Sequence, residues 1–454
     1  MPRLRDRIAR LGARLCSSEV ITGSATALGI KLAGAILNFA MLALLSRQMT
    51  PDAFGSFAII FNAVGLLSAL ALCGQELLIT RAWGEYVCSN RPALARGVLT
   101  FGSQVVCIAA LIAAIVAVIG GPRLDNALTV PLALAAAAFL IAQTLNRFSG
   151  QFVRVAAGVL IGDGPREIVW RTILIVAILA CQAAGVAFGA IEFFVVAAAG
   201  LVLGIVVQIV KVAPFIPEAV KQTRPQRDLR AWIPCSLRMW LSNLVEVITQ
   251  YLEVVIIGLV LGPSTAAFFF VATRITTVFA VMSAGITMYA TSVISALYYS
   301  GAKAELQKIL HSLALVNAIL AIGMLSAIIV AGKLMLWFFG AEYVSAYWSL
   351  VVLAVGAAVS AVAGPAGNIM VLTGREGVYP VIMAVGLGFR FLLFVILGPA
   401  YGLLGVAFAW SISAVAMAVA LTVACRRLVG LDPSPGMSFT EWPAAILRLR
   451  ESKP

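Results

Sequence analysis

Apolar residues run through this chain in long unbroken blocks, with neither the two-residue alternation of half-buried strands nor the single stripe of a soluble helix. From Val20 to Ala424, block follows block, each about 20 residues long and separated by short polar gaps. A stretch of that length crosses roughly 30 Å of hydrocarbon, and only an internally hydrogen-bonded helix satisfies its backbone there. The pattern predicts an all-α polytopic membrane protein with about twelve transmembrane helices.

Charge then fixes the orientation. Arginines and lysines crowd into every second gap, as expected of cytoplasmic loops. With odd-numbered helices running outward, only Arg47, Arg123 and Lys333 of the 32 basic residues fall outside, and only Lys31, Arg274 and Arg390 lie deep in the membrane. Both termini are predicted to be cytoplasmic. Met1 to Ser18 is basic but has no apolar core or small-residue cleavage site, so it is not read as a removable signal peptide. The expected organisation is a basic cytoplasmic N-terminus over 1–19, an N-lobe of helices 1–6 over 20–213, a cytoplasmic linker over 214–232, a C-lobe of helices 7–12 over 233–425 and a cytoplasmic tail over 426–454.

Composition sharpens this picture. Hydrophobic residues make up 62%, charged residues 11%, and the mean hydropathy is +1.04. The net charge of +13 is spread over loops that are too short to form a basic soluble domain, so nucleic acid is not an expected partner. Anionic membrane lipid is the expected neighbour of those loops. The seven cysteines avoid the outside loops and show no metal-ligand spacing, and His311 is read as incidental. No cofactor or metal is expected.

The outside gaps carry single acids, Asp52, Asp125, Glu192 and Glu342, from which no nucleophile, base and orienting group can be assembled. An enzyme is therefore not expected, and short outer loops count against a membrane polymerase or glycosyltransferase. Phe268-Phe269-Phe270 and Trp337-Phe338-Phe339 read as interface or packing aromatics.

An internal repeat is visible. Pro51-Asp52-Ala53-Phe54 after the first helix is echoed by Pro263 to Phe268 after the seventh, and Gly185-Val186-Ala187-Phe188 by Gly405-Val406-Ala407-Phe408. Two six-helix halves follow, related by an axis along the membrane normal because each has an even number of crossings.

The segment Leu45-Ser46-Arg47-Gln48-Met49-Thr50-Pro51-Asp52-Ala53-Phe54-Gly55 resembles the first outer turn of polysaccharide-transport (Wzx-type) oligosaccharide flippases, members of the multidrug/oligosaccharidyl-lipid/polysaccharide exporter superfamily. Leu261-Gly262-Pro263 with Val271 to Ile275, and Gly367 to Arg375, are similar to the same family. The resemblance implies two lobes forming a V-shaped central cavity that opens alternately to each side. It also implies an undecaprenyl-diphosphate-linked oligosaccharide as cargo, the bacterial inner membrane as location, and polysaccharide polymerase and chain-length machinery as partners. A cation-coupled multidrug or metabolite extruder of the same superfamily is the alternative.

Intramembrane charges are the candidate site, since each costs at least roughly 2.5–3.5 kcal/mol at the bilayer centre unless paired or hydrated. Lys31, Arg274 and Arg390 are the candidates for contact with a diphosphate. Glu246 and Glu253 are the candidates for a coupling ion or a salt bridge. Glu253 and Arg274 lie at comparable depth on consecutive antiparallel helices, which makes a structural pair between them the competing expectation. Arg171 and Arg390 could also serve as cytoplasmic-edge anchors.

Overall fold

The computed structural model describes residues 18–124, 129–299, 303–363, 365–373, 375 and 377–434. The basic N-terminus to residue 17 with Arg3, Arg5, Arg7 and Cys16, Asp125, Gly374 of the third family-like segment, and the tail from 435 lie outside the described residues.

Helices follow one another with no strand among the described residues: α1 (Ser18–Ser46), α2 (Pro51–Ala71), α3 (Gln75–Cys88), α4 (Pro92–Leu124), α5 (Val130–Ala157), α6 (Val159–Gly164), α7 (Trp170–Ala183), α8 (Ala190–Val212), α9 (Glu218–Gln222), α10 (Leu229–Leu261), α11 (Pro263–Tyr299), α12 (Lys303–Trp337), α13 (Tyr347–Val362), α14 (Pro365–Leu372) and α15 (Val378–Val429). A π-helical turn, Pro165–Val169, joins α6 to α7.

Ten helical runs among the described residues are long and apolar enough to cross a membrane, against the twelve read from sequence. The difference lies in two places. The expected fifth crossing, Glu167 to Gly185, falls on the π turn and on α7, whose 14 residues are too few to count alone. The eleventh and twelfth follow each other without a gap over Val378–Val429 and count once, although the non-helical backbone of Gly402 (φ 59°, ψ −137°), just beyond Pro399, separates them into two helices. Together the two contain about 78 Å of helix at 1.5 Å per residue, enough for two crossings.

Two compact units emerge from the packing. The first comprises Met1–Met49 and Ile60–Leu252, and the second Thr50–Ile59 and Glu253–Pro454. The first 24 residues of α10 therefore pack with the first unit, and Thr50–Ile59 at the start of α2 packs with the second.

In the first unit, α5 and α8 pack through small residues, with Gly204 of α8 opposite Asn146 of α5. Small residues let membrane helices approach closely enough for van der Waals contact to hold them together. A buried aromatic group at one end of this pair joins Phe61, Phe139, Phe193, Phe194 and Trp170. At the other end Trp232 of α10 is buried among Tyr86, Phe101 and Phe148, and its indole N–H donates to Tyr86 Oη at 2.9 Å. The 214–228 segment is strapped to the start of α4: Arg96 donates to the carbonyls of Lys221 (2.6 Å) and Thr223 (2.8 Å), and Gln226 N donates to Ala93 O (2.9 Å).

The second crossing is interrupted between α2 and α3, where Cys73 (φ 47°) and Gly74 (φ 71°) are left-handed. Leu70 O at the break accepts from Cys73 N at 3.1 Å and also from the indole N–H of Trp240 of α10 at 3.2 Å. A Cβ at Gly74 would come within 2.2 Å of Ser236 O. Gly74→Ala therefore combines left-handed strain of about 1–2 kcal/mol with a backbone clash. Its melting temperature in detergent is expected to fall clearly below that of the wild type, and an unchanged value would rule out this packing.

In the second unit the two family-like turns meet. A Cβ at Gly55 would lie 1.9 Å from Pro263 O, and Phe54 contacts the rings of Phe270 and Tyr343 at centroid distances of 6.1 and 6.2 Å. At the far end of α15 the chain is fastened to α12: the Gln307 side chain donates to Asp432 O (2.6 Å) and accepts from Asp432 N (2.9 Å).

Candidate functional site

The five intramembrane candidates fall into three environments. Lys31 is exposed on α1, next to exposed Leu32, which is itself one turn from exposed Ile36. Among the described residues no carboxylate lies within ion-pair distance of it. One turn further, Gly34 is buried against Glu167 and Arg171. Glu246 is exposed on α10, while Val247 and Tyr251 of that helix are buried against Ala69. Both exposed charges belong to the first unit.

Glu253 and Arg390 behave differently. Their side chains are 10% and 3% exposed, and they form an ion pair within the second unit. Trp410 Nε1 donates to the other carboxylate oxygen of Glu253 at 3.0 Å, and Arg390 Nε donates to Ser413 Oγ at 2.7 Å. Ser413 Oγ donates in turn to Trp410 O at 2.8 Å, and the guanidinium lies 5.0 Å from the Trp410 ring centroid. Every member is thus bonded to another, which is what makes a buried pair tolerable in a low-dielectric interior.

The expected pair of Glu253 with Arg274 is replaced by this one. Comparable depth does not put two side chains on facing sides of their helices. The half-buried Arg274 guanidinium instead stacks over Phe270, one turn back on its own helix, at 4.5 Å from the ring centroid. The reading of Arg390 as a snorkelling edge anchor also fails, because its charge is sealed inside the protein.

A second ionic group escaped sequence reasoning. Around the π turn, Arg154, Asp163, Arg166, Glu167 and Arg171 form a continuous chain of ion pairs at 3.6, 3.2, 3.3 and 2.7 Å. Gln208 of α8 donates to Gly162 O at 2.9 Å and accepts from Ser149 Oγ at 2.6 Å, holding α6 against its neighbours. Arg171 was read as an edge anchor and the other arginines as orientation signals; here they neutralise two acids inside the bundle. The i,i+3 spacing of Asp163 with Arg166 and the i,i+4 spacing of Glu167 with Arg171 were the available signals. Trp410 and Ser413 gave none, since a lone indole and hydroxyl in an apolar run are unremarkable. Among the described residues no group of His, Cys, Asp or Glu could hold a metal ion.

Chemically, Lys31 can meet an anion and Glu246 a cation without breaking any ion pair seen among the described residues. Arg390 and Glu253 can do so only by giving each other up.

The sequence profile of a family described as polysaccharide biosynthesis protein matches residues 20–295. No curated protein sequence matches this chain. Among solved structures, an inward-facing multidrug resistance MATE family transporter of the MOP superfamily superposes with a TM-score of 0.71 at 18% identity, covering 90% of this chain and 98% of that one. The lipid II flippase MurJ, in an inward closed conformation, gives 0.67 at 13% identity over 87% of each chain. A MOP superfamily transporter from Pyrococcus furiosus gives 0.61 at 16% identity, over 90% of this chain and 95% of that one. The chain shares their fold.

Proposed function

This chain belongs to the polysaccharide biosynthesis protein family, and from that premise we propose that it carries lipid-linked oligosaccharide across the bacterial inner membrane by alternating access between two six-helix lobes around a central cavity. The cargo is a repeat unit on undecaprenyl diphosphate, moved from the cytoplasmic to the outer leaflet, where polymerase and chain-length machinery use it. Both termini face the cytoplasm. The family match is the observation that carries the reading. Lys31 supports it, because an exposed ammonium on a membrane-length helix matches a diphosphate. Arg274 is the next candidate for that contact, and Arg390 becomes one in any state that opens its pair with Glu253.

The test is complementation of a deletion strain. The strain is expected to lose surface polymer and to accumulate undecaprenyl-linked repeat units facing the cytoplasm. Lys31→Ala loses a charge-assisted contact of about 1.5–3 kcal/mol and should lower export roughly 10- to 100-fold at equal membrane abundance, with Lys31→Arg retaining most of it. Full export by Lys31→Ala would remove that residue from the site.

The second reading is a cation-coupled extruder, favoured by the fold shared with a transporter described as multidrug resistance MATE. Normal polymer together with sensitivity to cationic drugs in the deletion strain would select it.

A further inference from the structure

A cavity of about 390 Å³ lies in the first unit between α3 and the start of α10. Its volume falls within the roughly 300–1,000 Å³ of ligand pockets. Buried Leu78, Ala82, Tyr86 and Trp232 form its floor, and Arg81, Arg238 and Glu85 stand at its rim.

Three observations define what it would hold. Both arginines are exposed, and among the described residues neither has a carboxylate within ion-pair distance; Arg81 Nη1 lies 3.9 Å from Cys235 Sγ. The floor is rigid, because Trp232 and Tyr86 are hydrogen-bonded to each other inside an aromatic cluster. Beside Arg238, α10 presents Ile233, Leu237 and Leu241, each about half exposed and one turn apart. An arginine pair is suited to the spread charge of a phosphate, and an apolar stripe running from it suits a hydrocarbon tail.

We propose that this cavity binds the phosphate or diphosphate head of a membrane-anchored lipid, with its tail along Ile233, Leu237 and Leu241. The charge asymmetry of the loops puts the cavity at the cytoplasmic edge of the membrane, where such heads lie. The site rests on the cavity and its charges and is independent of the cargo proposed above. Undecaprenyl diphosphate and a bulk anionic phospholipid share the chemistry it recognises.

Cys235 lines the cavity and provides a local reporter, while exposed Cys88 lies outside its lining and serves as the internal control. The full chain is placed in phosphatidylcholine nanodiscs and treated with a water-soluble maleimide, and labelling is mapped by mass spectrometry. Undecaprenyl diphosphate at about ten times its Kd should slow labelling of Cys235 about tenfold and leave Cys88 unchanged. The variant Arg81→Gln/Arg238→Gln should lose this protection, and Arg81→Lys/Arg238→Lys should keep most of it. Equal protection by phosphatidylglycerol at the same mole fraction would identify bulk phospholipid as the ligand and uphold the site. Protection by inorganic diphosphate equal to that by the lipids would overturn the tail contact. Absence of protection by either lipid, or full protection in the glutamine variant, would overturn the site.

Discussion

Arg390→Ala is expected to destabilise the purified protein by about 3–5 kcal/mol, the usual cost of removing one partner from a buried ion pair. The cause is the charge left behind. Glu253, 10% exposed, would keep only the Trp410 indole as donor, and Ser413 would lose the arginine Nε. Glu253→Ala should be similarly damaging, since it strands a guanidinium that is 3% exposed. The double variant Glu253→Gln/Arg390→Met should recover much of the loss, because removing both charges abolishes the desolvation cost along with the attraction. Thermal unfolding in detergent of the wild type, Glu253→Gln, Arg390→Met and this double variant closes a double-mutant cycle. Additive losses would show that the two residues do not act as a pair. Transport separates structure from mechanism: a stable double variant that still exports polymer would make the pair purely architectural, and a stable but inactive one would mean that the pair must open during the cycle.

Gly55→Ala is the second large effect, expected to cost at least about 1–3 kcal/mol. A methyl at Gly55 would sit 1.9 Å from Pro263 O, and a backbone oxygen at the start of α11 has no rotamer through which to retreat. The surrounding Phe54, Phe270 and Tyr343 rings transmit the displacement rather than absorb it. The melting temperature should fall. Ala53→Gly, two positions earlier at an exposed site, should lower stability by no more than the helix-propensity cost of about 1 kcal/mol. A wild-type melting temperature for Gly55→Ala would mean that the two turns are not in contact in the protein as purified.

Much of this fold was legible in the sequence because the membrane imposes so strong a rule. A chain that must satisfy its backbone in hydrocarbon announces each crossing by length and apolarity alone. The two departures came where local backbone chemistry overrides that rule. At the π turn an expected crossing loses its first turn of α-helix, and at Gly402 a single non-helical residue joins two crossings end to end. The first family-like turn and Gly262-Pro263 after α10 were both singled out by resemblance, yet nothing in either segment announced that they pack on one another. Site chemistry was less legible. Depth in the membrane can be counted from a helix end, and it selected Glu253 and Arg390 as unusual; the face of the helix decides partnership, and apolar runs without a polar stripe leave that face unmarked. The same gap concealed the Arg154 to Arg171 chain, whose cations look like orientation signals until their acids are placed beside them.

Because α10 lends its first 24 residues to the unit built from the preceding crossings, that unit is unfinished when the sixth crossing leaves the ribosome. Until Trp232 arrives, Tyr86 lacks its hydrogen-bond donor and an aromatic pocket stands open to lipid and water. Gly55 waits longer still, since the backbone it fits against begins only at Pro263. Biogenesis of this protein is therefore an exercise in deferred closure. Its early helices satisfy their own backbones in the bilayer, and their packing is completed only when sequence from the second half arrives.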